Sequence, residues 1–134
     1  MANLSQMVES FEADYRLGDT EMDETHRAFL VLCQQTEIAK GEAFAQLFER
    51  LFQHTREHFA AEEARMAATA FSSLQEHRAD HQRILGEMDR FTQRVKTGRS
   101  SMARAWLSDT LSRWFDLHAR TMDSALAAHL KANT

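Results

Sequence analysis

Two pairs of residues four apart could act together chemically. His58 and Glu62 would share one face of a helix, and His77 and His81 repeat the spacing. His26 opens a stripe that continues through Leu30 and Cys33, and His118 lies in another, with Asp123 five residues beyond it. All seven fall where an amphipathic helix ordinarily places leucine-like side chains. Any one alone reads most simply as a hydrogen-bonded core residue, and a lone HxxxH or HxxxE pair also occurs on solvated faces. The combination carries the argument. Burying five imidazoles and two carboxylates without partners costs several kcal/mol in total. A metal centre ligated by all of them removes that cost.

Imidazole and carboxylate donors without thiolate suit iron, zinc or manganese. Seven ligands exceed the four that a tetrahedral zinc needs. Two six-coordinate ions sharing bridging carboxylates would use all seven and leave one position open for a small ligand. One spacing resists this arrangement, because residues five apart lie about 140° apart on a regular helix. A π-type widening near residues 120–122, or a reaching aspartate, is needed to bring His118 and Asp123 to the same place.

The elements that must position these residues are legible in the punctuation. There is no proline and there are only four glycines in 134 residues, so long helices can run uninterrupted. Gly18, Gly41 and Gly98 divide the chain into segments with apolar residues three or four apart, at about 21–39, 42–68, 74–96 and 102–131. Short connections between long helices make neighbours antiparallel. The expectation is an all-α, up-down-up-down antiparallel four-helix bundle over residues 20–131. Residues 1–19 are expected to form an irregular N-terminal arm anchored by Phe11, Tyr15 and Leu17. Ser73 with Glu76 reads as a capping box for the third helix, and Ser100 or Ser101 as the cap of the fourth. Gly86, inside the third helix, either permits close helix approach or is a weak point costing ~1 kcal/mol.

Composition excludes several classes. A net charge of −4 without a basic block gives no reason to expect nucleic acid as partner. No apolar run approaches the ~20 residues of a membrane span, so no membrane insertion is expected. The acidic N-terminus lacks the layout of a signal peptide. Cys33 is the sole cysteine; it suits a reducing, cytoplasmic setting and reads as a small core residue.

Four blocks occur in order along the chain: Gly18 with Asp23-Glu24-Thr25-His26; His58-Phe59-Ala60-Ala61-Glu62-Glu63 with Met66; Phe71 through His77 to His81; and Trp114-Phe115-Asp116-Leu117-His118 with Asp123. In these blocks, from Phe11 to about Leu126, the sequence resembles the bacterial hemerythrins, single-domain oxygen-binding di-iron proteins. The resemblance implies that His77, His81 and His118 hold one iron and His26 and His58 the other. Glu62 and Asp123 would bridge them, along with an oxo or hydroxo group. The iron with two histidines would keep the open position, where dioxygen takes one electron from each Fe2+, leaving an Fe3+ pair. The implied function is reversible dioxygen binding for storage, delivery or sensing, the last through a protein partner. A di-iron oxidase, peroxidase or nitric-oxide-handling enzyme is the alternative.

Several positions depart from the family pattern. Phe11 replaces a usual tryptophan, Thr25 a frequent glutamine and Ser72 a common proline. Phe115 and Ala119 change the bulk expected around the pocket. His54 stands where tyrosine is usual and creates a rival HxxxH with His58. It reads as a core histidine near the cluster or as an extra ligand or proton donor. His129 reads as a surface or cap residue.

Overall fold

The computed structural model describes residues 3–133, all of them helical or in short connections. Residues 1–2 of the arm and residue 134 lie outside the described part. The N-terminal arm departs from expectation: it forms two short helices, α1 (Leu4–Glu9) and α2 (Phe11–Asp14). Its start was encoded locally. The Asn3 side chain accepts from the Gln6 amide while the Gln6 side chain accepts from the Asn3 amide, a reciprocal cap at 2.9 Å each way. Leu4, Met7, Phe11 and Tyr15, three or four apart, are all buried, so the arm contributes a face of core.

The long helices are α3 (Thr20–Ile38), α4 (Glu42–Ala68) and α5 (Leu74–Lys96). The fourth is compound: α6 (Ser101–Ala105), a π turn (Trp106–Leu111), α7 (Ser112–His118), a second π turn (Ala119–Asp123) and α8 (Ser124–Ala132). Cross-helix bonds fix the directions. Arg104 and Ser108, early in the fourth helix, bond to Glu37 at the end of α3. His26 near the start of α3, Glu62 late in α4 and Asp123 late in the fourth helix meet at the other end. The protein is therefore an all-α antiparallel bundle, with Gly41 (φ 57°) and Gly98 (φ 86°) in left-handed turns between helices.

Capping differs from the sequence reading. Asp19 is extended and its carboxylate accepts from the Met22 amide, a true N-cap for α3. Ser73 (ψ 20°) and Ser100 (ψ −15°) make no side-chain cap bond, because neither backbone is in the extended region that aims a side chain back at the helix. The second π turn lies between His118 and Asp123 and supplies the π-type widening rather than the reaching aspartate; the first, at Trp106–Leu111, has no counterpart in the sequence pattern.

The core is a continuous aromatic and aliphatic cluster containing Phe29, Leu30, Phe44, Phe48, Leu51, Phe59, Leu107 and Phe115. A smaller cluster of Met22, Met66, Leu126, Ala127 and Leu130 closes the end at which α3 begins. Seven polar side chains lie between these two apolar masses.

Candidate metal centre

Each long helix delivers its polar residues from a different wall. His26 comes from α3, His58 and Glu62 from α4, His77 and His81 from α5, and His118 and Asp123 from the fourth helix. All seven are buried. The structure thus brings together every residue that the sequence nominated as a ligand, in two groups that could each hold a metal ion. One is Glu62, His77, His81, His118 and Asp123; the other is His26, His58 and Glu62.

The carboxylates join the groups. Glu62 Oε2 lies 2.7 Å from His58 Nε2 and 3.2 Å from His26 Nε2, while its Oε1 lies 3.5 Å from His77 Nε2 and 3.4 Å from His81 Nε2. Asp123 divides the same way. Its Oδ2 is 3.2 Å from His26 Nε2, and its Oδ1 is 3.0 Å from His77 Nε2 and 3.1 Å from His118 Nε2. The π turn makes this possible by widening the helix between His118 and Asp123 until both face inward.

Proton affinities record the same crowding. Burial disfavours the His26 cation, but Asp123 and Glu62 outweigh it and raise His26 to about 10. His77 rises to about 9 against the same burial and through the same carboxylates. Burial and the Glu62 charge oppose ionisation of Asp123, yet His118, His26 and His77 hold it well below the carboxylate range. Glu62 is likewise lowered, as His58, His26 and His77 overcome burial. Two buried carboxylates demand positive charge at this point, and protons on histidine are a substitute for it.

The donor geometry supports a cation better than it supports protons. Glu62 Oε1, His81 Nε2 and Asp123 Oδ1 are buried without a hydrogen-bond partner among the described residues, although each lies within 3.5 Å of an opposing donor or acceptor. Their lone pairs converge on shared space rather than on one another, as ligand atoms around an ion do.

Residues 17–130 match the family model described as the Hemerythrin HHE cation binding domain. The chain belongs to the hemerythrin family. It is 31% identical over 114 residues to a bacteriohemerythrin of Ralstonia nicotianae, covering 85% of this chain and 82% of that protein. It is 24% identical over 127 residues to a bacteriohemerythrin of Stenotrophomonas maltophilia, covering 92% of this chain and 82% of the relative. No solved structure gives a significant match.

The residues nominated around the hemerythrin centre occupy distinct places. Phe115 is buried edge-on to His26, ring centres 5.4 Å apart, and stacks on Phe29. Ala119 is buried at the first position of the π turn. His54 belongs to neither ligand group; its half-buried ring lies 6.3 Å from that of His58. Burial, then His58, lowers its pKa, so it is neutral at pH 7. His129 is half-buried rather than superficial: its Nε2 lies 3.0 Å from the Thr69 carbonyl and 3.1 Å from its hydroxyl, joining the fourth helix to the end of α4. Cys33 is fully buried.

Sequence reasoning gave no role to Glu63 and Asp80. Glu63 Oε2 is 3.0 Å from His81 Nδ1, and Asp80 Oδ2 is 2.7 Å from His118 Nδ1. Both contacts run between helices, so no spacing within one helix announces them.

Proposed function

We propose that the protein binds dioxygen reversibly at a pair of iron ions. The observation that carries this reading is the division of Glu62 and Asp123, each of which turns one oxygen to the two-histidine group and the other to the three-histidine group. A single ion does not need that arrangement, and two neighbouring ions do. His77, His81 and His118 would hold one ion, His26 and His58 the other, with both carboxylates spanning them. The two-histidine ion, with fewer protein ligands, would keep a position for the small molecule.

When bound, an iron pair supplies the two electrons that reversible dioxygen binding requires. The chain supplies the setting. Five neutral imidazoles and two carboxylates leave the pair less negative than a carboxylate-rich set would, which favours binding and release over strongly oxidising turnover. Phe115 lies edge-on to His26 and Phe29 edge-on to His58, apolar surface that excludes water from that side. Rigid hydrogen bonds to His81 and His118 hold those rings in one orientation.

The test is the metal content and absorption spectrum of protein purified without added metal, then reduced and exposed to air. Two irons per chain and a charge-transfer band that disappears when oxygen is removed are the expected result. One zinc, or no metal, would overturn the proposal.

A further inference from the structure

The two halves of the centre are built to different standards. On the three-histidine side, the His81 ring lies flat on Phe59, centres 3.7 Å apart and planes within 4°. Its Nδ1 is paired with Glu63, which is itself held by Arg78 at 3.3 Å. The His118 ring stacks on Trp114 at 4.5 Å. Its Nδ1 is paired with Asp80, which also accepts from Trp114 Nε1 at 2.8 Å and from Arg83 at 3.2 Å. Two of the three rings on this side, those of His81 and His118, are thus fixed on one face by an aromatic and at the outer nitrogen by an anchored carboxylate, while His77 meets Phe71 edge-on.

The two-histidine side has neither support in that form. His26 Nδ1 and His58 Nδ1 are buried without a hydrogen-bond partner among the described residues. The aromatic neighbours of these rings, Phe115 beside His26 and Phe29 and Phe59 beside His58, meet them at steep angles of 56–88° rather than flat. A cavity of about 20 Å³ adjoins His58 and Glu62 below Arg65, room for one water-sized molecule.

A carboxylate on the outer nitrogen fixes the tautomer with Nε2 free to ligate, makes the imidazole a stronger donor, and typically changes metal affinity 10–100-fold. We infer that Glu63 and Asp80 are positioning residues that make this a two-affinity centre, retaining the ion of His77, His81 and His118 while the ion of His26 and His58 exchanges. The inference rests on the proposed occupancy by two irons. It adds that the ions differ in retention because of residues that touch neither of them.

The experiment follows iron release from the full chain, reduced and loaded with ferrous iron, into excess chromogenic ferrous chelator. Initial iron content tests the occupancy, and the time course tests the inference. Two irons leaving in two phases of equal amplitude are expected, the slower belonging to the three-histidine side. Glu63→Gln and Asp80→Asn keep a hydrogen-bonding group of the same shape but remove its charge. Each should accelerate the slow phase about 10-fold or more and leave the fast phase unchanged. Glu87→Gln, which alters the acceptor of Trp106 Nε1 away from the site, should change neither phase. Fewer than two irons at the start would defeat the occupancy. Two irons released in a single phase would overturn the inference with the occupancy intact. It would also fail if Glu63→Gln and Asp80→Asn left the slow phase unchanged or accelerated both phases alike, the latter marking a general loosening of the bundle.

Discussion

The Nε2 atoms of His77 and His118 face each other at 3.1 Å, and Asp123 Oδ1 lies about as close to both. Only one proton can sit between the two nitrogens, and two protonated rings would repel. An ion in the same space satisfies both lone pairs and the carboxylate together. Metal should therefore stabilise the folded chain strongly. A ligand at 100 times its dissociation constant contributes ~2.7 kcal/mol when it binds only the native state. Thermal unfolding of loaded and chelator-stripped protein should differ by several degrees or more. Equal midpoints would mean that the bundle does not use metal.

The π turn at Ala119–Asp123 explains how residues five apart share a face, and it can be tested by changing chain length. Deleting the exposed Thr121 leaves the aspartate four residues after His118, the spacing that shares a face in an ordinary α-helix. Metal content should be unchanged. Inserting alanine after Thr121 adds about 100° of rotation to the aspartate and should weaken binding on the order of 10–100-fold or more, since even an outer partner of a ligand costs that much. Metal titration of the two variants separates these outcomes. Equal affinities would show that Asp123 is not held by the turn.

How far the site was legible depends on whether its signals ran along one helix or between helices. His58 with Glu62 and His77 with His81 announced themselves because four residues make one helical turn. The His118–Asp123 spacing is an informative misfit, which left a π-type widening or a reaching aspartate as the two solutions; the π turn is the one present. Glu63 and Asp80 stayed silent because their partners lie on other helices. The arm is legible after the fact: Leu4, Met7, Phe11 and Tyr15 fall three or four apart and Asn3 with Gln6 forms a reciprocal cap, but its two helices are only six and four residues long. The first π turn, at Trp106–Leu111, has no signal in residue type that we recognise.

His54 should contribute nothing to metal binding and a little against stability. Its Nδ1 is buried without a partner among the described residues, and an unsatisfied buried polar atom costs ~1–3 kcal/mol. His54→Phe should retain the full metal content and raise the denaturant midpoint by the equivalent of about 1 kcal/mol. Loss of metal in this variant would make His54 a ligand.

Gly86 resolves as a weak point rather than a close contact. A methyl group built there would meet only the Arg90 side chain, at 3.8 Å, an ordinary van der Waals distance. Glycine costs ~0.8–1.0 kcal/mol relative to alanine inside a helix. Gly86→Ala should therefore stabilise the protein by about that much, with metal affinity unchanged. A lower denaturant midpoint would reveal packing that the glycine serves.

Tyr15 offers a titration free of ambiguity, because it is the only tyrosine. Its hydroxyl donates to Asp116 Oδ1 at 2.6 Å, and its pKa is raised from 10.0 to about 12. Burial is the largest cause, followed by the Asp116 hydrogen bond and charge, with Arg120 opposing. Unfolding releases the phenol to its ordinary pKa, so the folded state holds the proton more tightly across this interval. The resulting stability is whole below pH 10 and is lost as pH rises through about 12. Tyrosinate absorbance of the folded protein should rise near pH 12, and the alkaline unfolding midpoint should fall over the same interval. Asp116→Asn removes the charge while retaining an acceptor, and should move the titration back toward 10 without abolishing the contact. A phenol that titrated near 10 in the native protein would mean that the arm does not seal against the fourth helix.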